Sequence, residues 1–324
     1  MKLTLRFPGL WPAIVLGVVF SGGALAQPYP NKAIRLIVPY APGGSVDIVS
    51  RVIAPKLAES FSQQVVVDNR PGGGAIIGTN LLAKSAPDGY TILMADIALG
   101  ANPALHSKLP YNTPEDFAPV TLVALLPSIL VVHPSLPVKS VKELIALARS
   151  KAGQLNYSTA GAGSMNYLAT ELFKSQTGTD IVHIPYQSGG QALTALLSGQ
   201  VQLVITTVPP VLPYIKAGRV RFLAVSGTKR IAMLPDAPTF AEAGMPAFDV
   251  YLWQAVVAPA GTPSEIITRL NAEINRVLAV AEIRERISGL GADVVGGTPE
   301  RLSDFIKAEI ARWNKAIKPS MRVD

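Results

Sequence analysis

The chain contains, between residues 34 and 47, the stretch Ile34-Arg35-Leu36-Ile37-Val38-Pro39-Tyr40-Ala41-Pro42-Gly43-Gly44-Ser45-Val46-Asp47. Its apolar start predicts a β-strand, and the spacing of Val46, Val49, Ile53 and Leu57 predicts a helix after the Gly-Gly turn. Glycine lets the backbone approach a ligand closely, and the helix points free N–H groups and its positive dipole end at the turn. The stretch therefore indicates either an anion site or simply a tight turn.

A second stretch repeats this pattern, His183-Ile184-Pro185-Tyr186-Gln187-Ser188-Gly189-Gly190, with its Pro-Tyr pair 185 − 39 = 146 residues later. The repeat is either a coincidence between two glycine-rich turns or a sign of two similar lobes that present similar loops to a shared cleft. A third turn, residues 158–166, combines two glycines with several hydroxyl groups. Hydroxyl donors can orient a carboxylate without burying a full positive charge.

Length and composition set the fold class. Of the 324 residues 49% are apolar and 16% charged, which excludes disorder as the main state. Short Val/Ile-rich runs alternate with helical patterns, so we expect an α/β fold with a mostly parallel sheet covered by helices. A chain of this size predicts two lobes. Helix starts are predicted by capping patterns at Ser140, at Thr262-Pro263 and at Thr298-Pro299.

Charge and motif content argue against several functions. The net charge is +7, but basic residues do not cluster with aromatic ones, so we expect no nucleic-acid partner. His106, His133 and His183 lack metal-ligand spacing. The run Gly161-x-Gly163-x-x-Asn166 resembles a dinucleotide-binding fingerprint but lacks its third glycine, and Asp180 precedes its strand instead of ending it. We therefore predict no catalytic residues, no metal and no cofactor.

The first 26 residues have the features of a secretory signal peptide. Lys2 and Arg6 precede the apolar stretch 10–25, which ends in Ala24-Leu25-Ala26. The alternative, a membrane anchor, is disfavoured because this run is shorter than the ~20 apolar residues that a spanning helix needs. We expect cleavage after Ala26 and export, which in a bacterium with two membranes means the periplasm. The chain has no cysteine, so it is not a lipoprotein.

The chain resembles a known family over essentially all of the expected mature chain. It looks like the substrate-binding proteins of the tripartite tricarboxylate transporters, the Bug receptors. The resemblance rests on ordered motifs: Pro39-Tyr40-x-x-Gly43-Gly44-x-x-Asp47; Asn69-Arg70-Pro71-Gly72; Pro87-Asp88-Gly89-Tyr90-Thr91; Asp116-Phe117-x-Pro119-Val120; Tyr157-Ser158-x-x-Gly161-x-Gly163-Ser164; His183-x-Pro185-Tyr186; Leu223-Ala224-Val225; and Pro235-Asp236-x-Pro238-Thr239 followed by Glu242-x-Gly244.

The resemblance implies a two-lobed periplasmic binding protein fold with discontinuous lobes, residues 27–126 plus 251–324 and residues 127–250. Such a receptor, expected to be a monomer, closes by a hinge on a small organic carboxylate and delivers it to membrane permease subunits. The ligand class stays open among mono-, di- and tricarboxylates, aromatic acids and amino acids. Two other functions stay open: a carboxylate receptor that signals to a membrane sensor kinase, and a periplasmic enzyme with Asp47 acting beside a serine.

The family's cleft is formed by the loops that match residues 40–47 and 158–164. Arg70 is either a carboxylate clamp or the partner of a nearby structural carboxylate. Two departures from the family pattern are Tyr167, where histidine is common, and Gln202, where aspartate is common. The expected ligand-binding residues are Tyr40, Ala41, Gly43, Gly44, Ser45, Asp47, Ser158, Thr159, Gly161, Gly163, Ser164, Tyr186 and Thr207.

Overall fold

The structure is a computed structural model that describes residues 29–323 together with Met1 and Thr4. The predicted cleavage site after Ala26 and almost all of the predicted signal peptide lie outside the described residues.

The described part of the chain alternates strands with helices. The strands are β1 (Ile34–Val38), β2 (Val65–Asn69), β3 (Thr91–Asp96), β4 (Phe117–Val132), β5 (Asn156–Thr159), β6 (Val182–Pro185), β7 (Leu203–Thr207), β8 (Arg221–Val225), β9 (Tyr251–Pro259) and β10 (Asp293–Val294). The helices are α1 (Ser45–Phe61), α2 (Ile76–Ala83), α3 (Ile97–Leu105), α4 (Val141–Ser150), α5 (Met165–Thr177), α6 (Gly189–Leu197), α7 (Val208–Lys216), α8 (Ser264–Ala279), α9 (Ala281–Ser288) and α10 (Pro299–Ala316), followed by a 3₁₀ turn at Pro319–Met321. The strand and helix predicted from residues 34–57 are confirmed.

The long strand β4 belongs to both halves of the sheet. The strand order is β2-β1-β3-β9-β4-β7-β5-β6, and β8 and β10 also pair with β4. Residues Phe117–Pro127 pair with β9, whereas Ser128–Val132 pair with β7 and β8. Two α/β lobes therefore share one strand that runs from the first half of the sheet into the second.

The sheet is mixed, so the expectation of a mostly parallel sheet is wrong. Strand β1 is parallel to β2 and β3, and β5 is parallel to β6 and β7. Strands β4 and β9 run antiparallel to the neighbours that they join. The apolar runs of the sequence show which segments are buried strands, but they carry no information about strand direction.

The buried hydrophobic residues form two clusters. A smaller cluster draws only on residues 129–237 and includes Ile129 and Val204, while a larger cluster extends through both halves of the sheet, from Ile37 in β1 to Tyr157 in β5 and Trp253 in β9. No helix among the described residues has the length and apolar character needed to cross a membrane.

The predicted helix starts are confirmed at two of three positions. Ser140 accepts a hydrogen bond from the Glu143 N–H, and Thr298 caps α10. The prediction of a capping Thr262 is wrong, because its hydroxyl donates to the Pro259 carbonyl and α8 begins only at Ser264.

Candidate functional site

A cavity of about 50 Å³ lies between the lobes, where strands of both halves end and helices begin. It is lined by Tyr40, Gly44, Ser45, Val46, Asp96, Ala160, Ser164, Met165, Asn166, Gly189, Thr206, Thr207, Pro210 and Leu252. Ligands of α/β proteins bind at this end of a sheet, because the loops that follow parallel strands converge there.

The cavity is surrounded by the N-termini of five helices, α1, α3, α5, α6 and α7. Two of these ends are capped by their own side chains: Asp96 Oδ1 accepts from the Ala98 N–H at 3.1 Å, and Ser188 Oγ accepts from the Gln191 N–H at 3.2 Å. The other three, α1, α5 and α7, have no side-chain cap. The first N–H groups of α1 and α5 have no partner within the helix and can bind an anion. Helix α7 offers fewer donors, because among its first three residues only Val208 has an N–H and the next two are prolines.

The reason for each missing cap is local. Gly44, before α1, has no side chain. Ser164, before α5, donates its hydroxyl to the Gly161 carbonyl at 2.6 Å. Thr207, before α7, makes a hydroxyl–hydroxyl hydrogen bond with Ser45 at the start of α1. This bond joins residues that are 162 positions apart and closes the cavity between the two halves.

Among the residues that line the cavity, Asp96 is the one acidic side chain, and none is Lys, Arg or His. An anion would therefore be held by neutral donors and helix dipoles. Burial raises the pKa of Asp96 to about 7, despite the Tyr40 hydroxyl beside it and the hydrogen bond from Ala98, both of which lower it. Tyr40 faces Asp96, yet its hydroxyl makes no hydrogen bond of normal geometry with any described residue.

Five of the thirteen expected ligand-binding residues line this cavity: Tyr40, Gly44, Ser45, Ser164 and Thr207. The other eight do not: Ala41, Gly43, Asp47, Ser158, Thr159, Gly161, Gly163 and Tyr186.

Asp47 holds the first loop in shape instead of facing the cavity. Its carboxylate accepts hydrogen bonds from the Gly43 N–H at 3.0 Å and from Arg51 and Asn69, both at 2.9 Å. Burial acts to raise the pKa of this carboxyl, but the hydrogen bonds from Arg51, Gly43 and Asn69 prevail and lower it. Asp47 therefore fixes Gly43 in its left-handed conformation (φ +90°), which turns the chain towards the start of α1.

The hydroxyls of Ser158 and Thr159 also point away from the cavity. Ser158 donates to the Ala192 carbonyl at 2.8 Å. Thr159 accepts from the Gly161 N–H at 3.0 Å and lies 2.7 Å from His183 Nε2. Both side chains thus stabilise the loop of residues 158–164 through contacts outside the cavity.

The remaining sequence candidates have structural partners. Arg70 forms a 3.0 Å ion pair with Asp68 and does not line the cavity. The Tyr167 hydroxyl donates to the Met321 carbonyl at 2.8 Å, and Gln202 accepts from the Asn156 N–H at 2.8 Å. Tyr186 and Gly161 line a second cavity of about 510 Å³ beside Gly72–Gly74, which adjoins the first because Ala160 lines both.

The two repeated Pro-Tyr-x-x-Gly-Gly stretches meet at the same cavity, since Gly44 and Gly189 both line it. Their backbones differ, however, because Gly43 is left-handed while its counterpart Gly189 is the first residue of α6.

Sequence reasoning missed Asp96. The sequence contains a weak signal for it, an acidic residue directly after a strand, but that pattern is also typical of an ordinary helix cap. Only the three-dimensional arrangement shows that this cap faces the same cavity as the glycine-rich loops.

Two α/β lobes and a cavity between them lined by helix N-termini define the class of the protein: it has the fold of the two-lobed periplasmic binding proteins. The family model described as "Tripartite tricarboxylate transporter family receptor" matches residues 49–321. The chain belongs to this family.

Relatives support this assignment over nearly the whole chain. Protein BugT of Bordetella pertussis is 40% identical over 313 residues, which are 94% of this chain and 95% of BugT. The structure of Rhodopseudomonas palustris Rpa4515 with adipate is 38% identical, with a TM-score of 0.86, and the match covers 89% of this chain and 97% of that one. MatC of R. palustris with bound malate is 32% identical, with a TM-score of 0.86, over 90% of this chain and 100% of that one.

Proposed function

We propose that this chain is a receptor that captures a small organic carboxylate in the cavity between its lobes and delivers it to a tripartite membrane permease. The observation that carries the proposal is the convergence of three uncapped helix N-termini on one cavity without a basic side chain. A carboxylate would accept hydrogen bonds from the unpartnered N–H groups. The adipate and malate bound to two relatives belong to the same chemical class.

The ligand contacts are proposed for the five expected residues that line the cavity, Tyr40, Gly44, Ser45, Ser164 and Thr207. The other eight expected residues are proposed to shape the loops that present those contacts. Asp47 is the clearest example, because its described hydrogen bonds join the Gly43 turn, α1 and Asn69 at the end of β2.

Capture requires a hinge motion. The lobes are proposed to be residues 27–126 plus 251–324 and residues 127–250, because β4 changes its partners between Pro127 and Ser128 and β9 begins at Tyr251. A cavity of about 50 Å³ is far smaller than the ~300 Å³ at the low end of ordinary ligand pockets. We therefore infer that the described conformation is closed and that ligand enters after the lobes separate.

Export, processing and the absence of catalysis complete the proposal. The chain is proposed to be exported to the periplasm and cleaved after Ala26, to act there as a monomer and to release its ligand unchanged. Asp47, the residue that an enzymatic mechanism would place beside a serine, is instead bound by Gly43, Arg51 and Asn69.

The proposal is tested by calorimetry on residues 27–324 with adipate, malate, amino acids, sugars and metal ions. We expect binding of carboxylates only, and loss of one donor to a charged group in Ser45→Ala should cost about 1.5–3 kcal/mol of binding free energy. Ser50→Ala is the matched control, because Ser50 lies on the same helix, does not line the cavity and donates its hydroxyl to the Val46 carbonyl.

Binding of a sugar or metal ion and of no carboxylate would refute the proposed function. Equal carboxylate affinities for Ser45→Ala and Ser50→Ala would instead refute the proposed position of the ligand.

A further inference from the structure

One of the side chains that line the cavity is acidic and has no cationic partner. Asp96 is 2% exposed and lines the cavity. One of its oxygens accepts from the Ala98 N–H, and among the described residues no Lys, Arg or His forms an ion pair with it. A buried ionised carboxylate without a counter-charge is costly, so Asp96 either keeps a proton, as its raised pKa indicates for the free chain, or ionises when a cation binds beside it.

Two further buried polar side chains lie near Asp96. Tyr40 lines the cavity, and its hydroxyl faces the Asp96 carboxyl without making a hydrogen bond of normal geometry to any described residue. Gln254 lies directly opposite Asp96 in the β3–β9 register, so both side chains project from the same face of the sheet. Neither the amide nitrogen nor the amide oxygen of Gln254 has a partner. Buried polar atoms are nearly always hydrogen-bonded, so this side of the cavity has capacity for a further polar group, although Gln254 itself does not line the cavity.

The N-termini around the cavity differ in the charge that they accept. Helices α1, α5 and α7 have no side-chain cap and can take the carboxylate of a ligand. The N-terminus of α3 is already occupied by Asp96, so that side of the cavity repels a second carboxylate and attracts a cation. The cavity therefore has an anion-binding side and a cation-binding side.

We propose that the ligand is an amino carboxylate, whose carboxylate faces the N-termini of α1, α5 and α7 and whose ammonium group donates to Asp96. Tyr40 and Gln254 would add polar contacts beside the ammonium group. This inference rests on the proposed carboxylate-receptor function and narrows its substrate class.

The raised pKa of Asp96 is consistent with this assignment, because an arriving ammonium group would supply the charge that favours the ionised carboxylate. The titratable groups whose charges interact with Asp96 are Tyr40 and Tyr111. Both are phenols with raised pKa values, so neither supplies a positive charge.

The test compares ligands that share a carbon skeleton but carry an ammonium group, a hydroxyl group or hydrogen at the 2-position. Three sets are suitable: alanine, lactate and propionate; aspartate, malate and succinate; and glutamate, 2-hydroxyglutarate and glutarate. In calorimetry on the native chain we expect the amino acid of at least one set to bind at least tenfold more tightly than its two analogues. At pH 6 its binding should release protons from Asp96, which is detected by repeating the titration in buffers of different ionisation enthalpy.

The variant Asp96→Asn keeps the shape of the side chain and an oxygen that can accept from Ala98. It should weaken amino-acid binding at least tenfold and leave the 2-hydrogen analogue within threefold of its native affinity. Asp304→Asn is the control, because it removes the same charge from an exposed position on α10 that does not line the cavity.

The possible failures are distinguishable. If analogues bind as tightly as the amino acids in the native chain, or amino acids bind without proton release, the Asp96 assignment is wrong and the carboxylate receptor stands. If no carboxylate of any set binds while a sugar or metal ion does, the proposed function fails and this inference fails with it.

Discussion

At the residue scale, the buried carboxyl of Asp96 gives the stability of the free protein an unusual pH dependence. Its pKa is raised by burial from 3.8 to about 7, so between these values the folded chain holds a proton that the unfolded chain has released. The free energy of unfolding therefore falls as the pH rises through this window, by on the order of 4 kcal/mol in total. Most aspartates, whose pKa is lowered by folding, have the opposite effect.

We therefore expect Asp96→Asn to stabilise the free protein at pH 8 and to have little effect at pH 4. Urea unfolding of both chains at pH 4, 6 and 8 measures this difference. Asp304→Asn, at an exposed position, should stay within about 0.5 kcal/mol of the native chain throughout. A native chain whose stability rose between pH 4 and pH 7 relative to Asp96→Asn would contradict the expected sign.

The residue scale is also where prediction from sequence was least complete. The sequence marks Ser158, Thr159 and Ser164 as hydroxyl donors in one loop, but it cannot show the direction in which each hydroxyl points. In the structure the Ser158 hydroxyl, on β5, donates to the carbonyl of Ala192, which lies 34 positions later on α6. Only the position of α6 against β5 determines that contact.

At the element scale, the loop before α2 packs closely against the loop that contains Ala162. A Cβ atom added to Gly74 would lie 1.6 Å from the Ala162 carbonyl oxygen, and Asn102 donates to the Gly74 carbonyl at 3.0 Å. In the proposed lobes, Gly74 and Asn102 belong to one and Ala162 to the other. A side chain at Gly74 should therefore hold the lobes apart.

We expect Gly74→Ala to weaken carboxylate binding at least tenfold in calorimetry. Gly73→Ala is a closely matched control, because Gly73 has φ +58° and Gly74 has φ +59°, so alanine suffers the same backbone strain at both positions. The nearest atom to a Cβ at Gly73 would be 3.4 Å away, on Ile76 at the start of α2. Equal affinities for the two variants would show that the Gly74–Ala162 contact is absent from the ligand-bound state.

Most elements could be predicted from the sequence because each leaves a local signal. The apolar run 34–38 and the helical spacing after Ser45 are such signals, and both elements form as expected. The capping prediction for Thr262 was wrong because its hydroxyl donates to the Pro259 carbonyl. The local turn determines that contact, and a capping pattern in the sequence does not reveal it. The antiparallel direction of β4 and β9 likewise depends on how the two halves of the sheet connect.

At the scale of the whole molecule, the site exists only when the two halves come together. In the sequence, Ser45 and Thr207 look like ordinary residues at the N-termini of helices. The structure brings their hydroxyls together across the cavity. The repeat of Pro-Tyr-x-x-Gly-Gly indicated two loops at a shared cleft, but not the fifth helix N-terminus, that of α3. The family resemblance located the two main loops, whereas Asp96 required the assembled geometry.

A hydrogen bond at the C-terminal end of the chain also joins the proposed lobes. The Tyr167 hydroxyl, on α5, donates to the carbonyl of Met321 in the final 3₁₀ turn at 2.8 Å. Helix α5 begins at the cavity, so this bond ties the closed position of α5 to the other lobe. Opening of the cleft must break it, and its loss should favour the open form.

We expect Tyr167→Phe to speed ligand dissociation about fivefold, the equivalent of one hydrogen bond of about 1 kcal/mol. Tyr157→Phe is the matched control: it removes a buried hydroxyl that donates to Glu171 at 2.6 Å within one proposed lobe, and both tyrosine rings lie against His183. Its dissociation rate should stay within twofold of the native value even if the protein unfolds more easily. Stopped-flow displacement of the tightest-binding carboxylate measures both rates, and identical rates for the two variants would mean that the Tyr167–Met321 bond persists while the cleft opens.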